Sequence, residues 1–183
     1  MFHAIMALEW RILMKIRNTQ LEDIPAILTI YNQAKEYLKS QNVNQWQDGY
    51  PNQESILNDM QLKQSYVLVE NEQVLGTAAI VLELDPNYAY IEDGKWLTTE
   101  DNYYCIHRIA VDNTIKGKYF ANEFVKYAEK LAKQDHKMSL RIDTHHHNFS
   151  MQKFLNKCGF IPCGTIYLQN GDKRIAFEKV FGK

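Results

Sequence analysis

The stretch Ile106-His-Arg-Ile-Ala-Val-Asp-Asn-Thr-Ile-Lys-Gly-Lys-Tyr-Phe-Ala121 decides the fold. It begins as a β-branched, strand-forming run and passes through the polar turn Asp112-Asn113-Thr114. It then delivers Gly117, flanked by Lys116 and Lys118, into the first turn of a long amphipathic segment. That order builds an anion cradle, because the unpaired N–H groups and positive dipole end of the helix face the loop, and the lysines add charge. A lysine-glycine-lysine turn is also common as a solvated turn, so its meaning rests on what surrounds it.

Downstream, residues 117–135 place Phe120, Phe124, Tyr127, Ala128 and Leu131 on one helical face. Met138 to Ile142 reads as a strand, Asp143-Thr-His-His-His-Asn148 as a polar turn, and Ser150 to Cys158 as a short helix ended by Gly159. Phe160 to Leu168 and Lys173 to Phe181 form a hairpin across Gln169-Asn-Gly-Asp172, since Asn-Gly favours a tight turn.

Upstream, Tyr103 to Val111 is the central strand. The loop before it, Asp85 to Asn102, carries Tyr88, Tyr90 and Trp96, and a loop of this length in a compact domain usually signals function or disorder; a substrate-side loop is expected. Tyr66 to Glu70 and Val74 to Leu84 read as a hairpin, and Gln53 to Lys63 as a helix with Ile56, Leu57 and Met60 inward. Ser40 to Pro51 is a polar, aromatic loop whose Trp46 and Tyr50 either line a small-molecule pocket or staple the loop to the core. Thr19-Gln-Leu-Glu22 has the form of a capping box, and Ile24, Ile27, Leu28, Tyr31, Ala34 and Leu38 recur at helical spacing behind it. Met14 to Arg17 is the first strand. Strands alternating with helices in the middle, with hairpins on both sides, predict an α/β domain whose mixed sheet is covered by helices.

The 183 residues, 45% hydrophobic and 23% charged, fit one domain with a real core. Twenty-one basic against 22 acidic residues leave a net charge of -1, which gives no global field for nucleic acid or an anionic membrane. Three cysteines, Cys105, Cys158 and Cys163, lack metal-ligand spacing and are expected as buried thiols in a cytoplasmic protein. No apolar run is long enough to span a bilayer. Residues 1–13 lack a basic start and a cleavage site, and are expected as a weakly ordered extension outside the domain at 14–183.

With this order laid out, the chain resembles the GCN5-related N-acetyltransferase (GNAT) superfamily from Met14 to Phe181, most sharply from Ile106 to Phe160. The resemblance implies a single domain with a mixed, mostly antiparallel sheet of six to seven strands and about four helices. It implies acetyl-CoA as co-substrate, without a metal. Ile109, Ala110 and Val111 would present backbone to the pantetheine arm, and Lys116, Gly117, Lys118, Tyr119, Phe120 and Ala121 would hold the pyrophosphate. Asn148 would be the family's turn asparagine, and Gly159-Phe160 its closing Gly-Phe pair. The chain departs from the family at three positions. Lys116 replaces an Arg or Gln, keeping a cation without the planar donor fork. Tyr119 stands in a glycine's place, and Leu155 falls where many members carry a proton-donating tyrosine.

In that setting an amine attacks a thioester directly, and since alkylamines are protonated near pH 7, a base must be within reach. His107 is the first candidate, two residues before Ile109, whose backbone N–H would polarise the carbonyl. The competing reading is a strand histidine satisfied by hydrogen bonds. The acid for the thiolate is Tyr103, Tyr104, Tyr167 or water. Trp46, Tyr50, Tyr88, Trp96 and His145 are the candidate acceptor-side residues, and the acceptor is an amine of a small molecule or peptide. Three adjacent histidines, His145 to His147, are expected to point apart and to make a poor metal site. A non-catalytic acyl-CoA-binding module is the alternative function. The C-terminal hairpin could pair across a homodimer.

Overall fold

The computed structural model describes residues 14–82, 84–98, 102–115 and 120–181. The expected extension at 1–13 and the cradle residues Lys116, Gly117, Lys118 and Tyr119 lie outside them.

The described residues form a seven-stranded sheet: β1 (Lys15–Asn18), β2 (Ser65–Glu70), β3 (Gln73–Val81), β4 (Tyr103–Val111), β5 (Ser139–His145), β6 (Ile161–Tyr167) and β7 (Lys173–Val180). Their spatial order is β1-β2-β3-β4-β5-β7-β6. Every pairing is antiparallel except β4 with β5. A parallel neighbour needs a crossover connection, and α3 (Phe120–Gln134) supplies it. The other helices are α1 (Ile24–Ser40), α2 (Gln53–Gln61) and α4 (Phe149–Lys157).

Two faces are covered differently. On one, α3 buries Phe120, Phe124, Val125, Ala128 and Ala132, and α4 buries Leu155, against Ile80, Ile106, Leu140 and Phe177 of the sheet. On the other, Ile27, Ile30 and Tyr31 of α1 and Ile56 of α2 pack on Val67, Val69 and Ala110. Beyond α2, among the described residues, no α-helix covers that second face. Residues 84–98 cover it instead, placing Tyr88 and Trp96 over Tyr103, Cys105 and Ile166. The loop is therefore ordered by aromatic burial and joins the sheet through a two-way bridge of Glu92 with Thr165.

Gly94 is what lets the loop lie so close. A Cβ there would sit 1.8 Å from the Cys163 carbonyl oxygen, beside the 2.9 Å bond that Lys95 N–H donates to that same oxygen. Gly94→Ala is expected to lift the loop from β6 and to cost about 1–3 kcal/mol, as overpacking does. Urea unfolding of the variant reads this directly, and an unchanged midpoint would show that the loop is not packed here.

The capping box lies one residue later than the sequence suggests: Gln20 caps a 3-10 turn over Leu21–Asp23 that leads into α1. Thr19 is occupied by Ser65, hydroxyl to hydroxyl at 2.6 Å, and Asp23 accepts the Gln20 N–H at 2.7 Å as well as two bonds from Arg17. All three cysteines are free, with Cys105 and Cys163 buried and Cys158 half-buried. Among the described residues no helix is long and apolar enough to cross a membrane.

Candidate active site

The parallel pairing of β4 and β5 covers only Tyr103 to Cys105 against Ser139 to Arg141. Past that point the strands diverge. Among the described residues, β4 from Ile106 onward has no partner on its β5 side, so that edge opens into the molecule. A cavity of about 1080 Å³ occupies the gap. Ile109, Ala110 and Val111 line it from β4, with Ala121 and Asn148 on the α3 and α4 side. The Phe120 ring is buried in the core and does not line the cavity.

A bulge reshapes β4 at the cavity. The β3 register advances two residues from Thr77 to Ala79 while its partners on β4 step three, from Ala110 to His107. Arg108 is the extra residue, with φ +53. Left-handed backbone at a non-glycine costs of order 1–3 kcal/mol and persists where its surroundings hold it. Here they do. Arg108 donates from Nε to Asp59 Oδ2 at 2.8 Å and from Nη2 to Asp59 Oδ1 at 2.7 Å, and Nη1 donates to the Tyr50 hydroxyl. Asp59 sits on α2, whose N-terminus is capped by reciprocal Asn52 and Ser55 bonds. In a regular strand neighbouring side chains face opposite ways, but across this bulge His107 and Arg108 both line the cavity.

His107 anchors a second polar group. Its Nε2 lies 3.4 Å from Asp85 Oδ2, and its ring lies 6.0 Å from that of Tyr88. Tyr88 in turn donates to Asp143 Oδ1 at 2.8 Å. Burial depresses the proton affinity of His107, and Arg108 adds to this, while Asp143 and Asp85 oppose it. Burial also raises Asp143 above the usual carboxylate range. A neutral imidazole beside carboxylates can accept a proton and have the resulting cation stabilised.

The other expected residues divide. Trp46 lines the cavity and meets Tyr31 edge-on at 5.8 Å, so it is both wall and staple. Tyr50 lines it too, its phenol tied to Arg108. Tyr88 and Trp96 do not form its walls. Tyr88 is buried, and Trp96 donates to the Tyr88 carbonyl and stacks on Arg141, because the loop spends both rings on covering the sheet. His145 is likewise absent from the walls, though Thr144 and Asn148 on either side line them. Leu155 is fully buried and offers no proton. Tyr104 donates to Asp135, Tyr167 to Glu92, and Tyr103 lies under Arg141, so none of these three phenols lines the cavity.

Asp59, Asp85, Asp143 and Arg108 were not singled out by sequence. Asp85 lies just before Pro86 and Asp143 lies within β5, but nothing local says that these residues converge. Asn148 caps α4 by accepting the Met151 N–H at 3.2 Å, and its amide donates to Gln45 Oε1 at 3.1 Å. The 41–52 loop therefore reaches across the cavity to the start of α4.

Residues 27–160 match the family model for the acetyltransferase (GNAT) family. A GNAT-family acetyltransferase from Streptococcus agalactiae is 31% identical, with a TM-score of 0.83 over 93% of this chain and 96% of that one. Two further structures share the fold at 18% identity. One is a ribosomal-protein-alanine N-acetyltransferase from Brucella melitensis, with a TM-score of 0.66 over 91% and 99% of the two chains. The other is YncA from Salmonella typhimurium with its cofactor acetyl-CoA, at 0.63 over 93% and 95%. Comparison with curated proteins gives no match.

Proposed function

The chain belongs to the GNAT family of acetyltransferases, and from that premise we propose that it transfers acetyl from acetyl-CoA to a primary amine of a small molecule or peptide, by direct attack in a ternary complex. The observation that carries the proposal is the divergence of β4 from β5, which turns a strand edge into a cavity wall beside a neutral, carboxylate-flanked histidine. The wall fits the co-substrate: backbone of Ile109 to Val111 is available for an amide-bearing arm, and Ala121 and Asn148 line the side toward α3 and α4. Lys116, Gly117 and Lys118 would hold the pyrophosphate with the start of α3.

When bound, acetyl-CoA supplies an activated thioester carbonyl. The chain's own residues do the rest. His107 takes the proton of the acceptor ammonium, directly or through water, and Asp85 holds the ring through Nε2 and steadies the imidazolium. The backbone N–H at Ile109 polarises the carbonyl and favours the tetrahedral oxyanion. Arg108, locked by Asp59 and Tyr50, fixes the bulge that aims His107. Cavity water protonates the departing sulfur, since Leu155 offers no acid. Trp46 and Tyr50 form the acceptor side, where an aromatic wall suits an apolar or cationic group. Three free thiols fit a cytoplasmic setting.

Release of free CoA thiol from acetyl-CoA, followed across a panel of primary amines, tests the reading. Turnover with at least one amine is expected. Tight acetyl-CoA binding with no thiol released for any acceptor would instead support an acyl-CoA-binding module, the reading that the buried Leu155 keeps in play.

A further inference from the structure

The end of β5 and the turn before α4 hold a sequence feature that the transfer reaction leaves unused. His145, His146 and His147 do not point apart: one ligand nitrogen from each lies within 4.8 Å of the others. The His145 and His146 rings stack with centroids 4.3 Å apart, and His146 and His147 approach to 3.9 Å. Nitrogens around one tetrahedral zinc stand about 3.4 Å apart, for metal–nitrogen bonds of about 2.1 Å. His146 and His147 are exposed and free to make that adjustment by rotation.

The backbone beneath them is fixed. Asn148 N–H donates to the His145 carbonyl at 2.9 Å, Phe149 N–H to the His147 carbonyl at 2.9 Å, and Gln152 Nε2 to the His146 carbonyl at 2.7 Å. His145 Nδ1 accepts the His147 N–H at 3.1 Å, so it carries a lone pair toward the turn, and a metal ion would take that bond's place. A neutral imidazole is the form that coordinates metal.

We propose that His145, His146 and His147 form a binding site for one borderline divalent cation of the zinc, nickel or copper class, on the rim of the acetyl-transfer cavity. The all-imidazole donor set selects these ions over magnesium or calcium, which take oxygen ligands. The ion is no part of the transfer chemistry. It would clamp the turn between Thr144 and Asn148, both of which line the cavity, and Asn148 reaches Gln45 of the acceptor-side loop.

Calorimetry of the untagged full-length chain with ZnCl2, without acetyl-CoA, tests the site apart from the catalytic reading. One ion per chain is expected, with MgCl2 giving no binding. The triple variant His145→Ala/His146→Ala/His147→Ala is expected to weaken zinc binding at least ten-fold while His146→Ala alone has a smaller effect. Thermal melting without metal establishes that the triple variant is folded. Should the ordinary chain take up no zinc, or a folded triple variant bind it unchanged through the cysteines, the proposal is wrong.

Discussion

His107→Gln is expected to lower kcat for acetyl transfer by about 10²–10⁴-fold, the usual contribution of a general base. The pH profile distinguishes this role from a purely structural one. Burial holds the His107 imidazole below its ordinary value of 6.5. The active form is neutral, so kcat/KM should be flat at neutral pH and fall as acid is added, with its acid limb below 6.5. The Gln variant should lose that limb as well as the rate. A variant that is slow but keeps the limb would remove His107 from proton transfer and leave it a packing role. Asp85→Asn should shift the same limb further down, since it removes a carboxylate that favours the imidazolium.

Arg141→Met is expected to be the most damaging single change to the fold. Arg141 and Glu178 are both essentially inaccessible, at 1% and 0% exposure, and their ion pair spans 3.1 Å. The guanidinium is sandwiched 3.8 Å from the Tyr103 ring centre and 4.2 Å from that of Trp96, and Nη2 donates to the Thr98 carbonyl at 2.9 Å. Glu178 also accepts from Ser139 Oγ at 2.6 Å and from the Leu97 N–H. Removing the cation leaves a buried carboxylate without its counter-charge, which costs about 3–5 kcal/mol. For a chain of this size that is a fall of roughly 6–20 °C in Tm. The double variant Arg141→Met/Glu178→Gln should recover part of the loss, because the residual charge is gone. If the single variant loses less than about 1 kcal/mol in urea unfolding, the pair does not hold the loop.

This pair also links stability to the site. Residues 84–98 start at the cavity with Leu84 and Asp85 and continue through the Tyr88 and Trp96 rings to Thr98 on Glu178. Loosening the far end of the loop with Arg141→Met would therefore release the carboxylate that orients His107 at the near end.

The sequence by itself determined the elements and their order. Periodicity is a property of neighbouring residues, so the helical face of Phe120, Phe124 and Ala128, the strand at Ile106, the Gly159 stop and the Asn-Gly hairpin all show without a partner in view. So does the cavity wall at Ile109 to Val111, because the resemblance rests on a contiguous run. Tertiary structure alone decided the rest. The bulge at Arg108 depends on Asp59, 49 residues away, to hold a left-handed backbone that no local preference favours. Tyr88 and Trp96 read as loop aromatics free for a ligand, but among the described residues no α-helix covers one face of the sheet beyond α2, and covering it took both rings. The convergence of His107, Asp85 and Asp143 likewise arises where two strands part, a place that exists only after the sheet has formed.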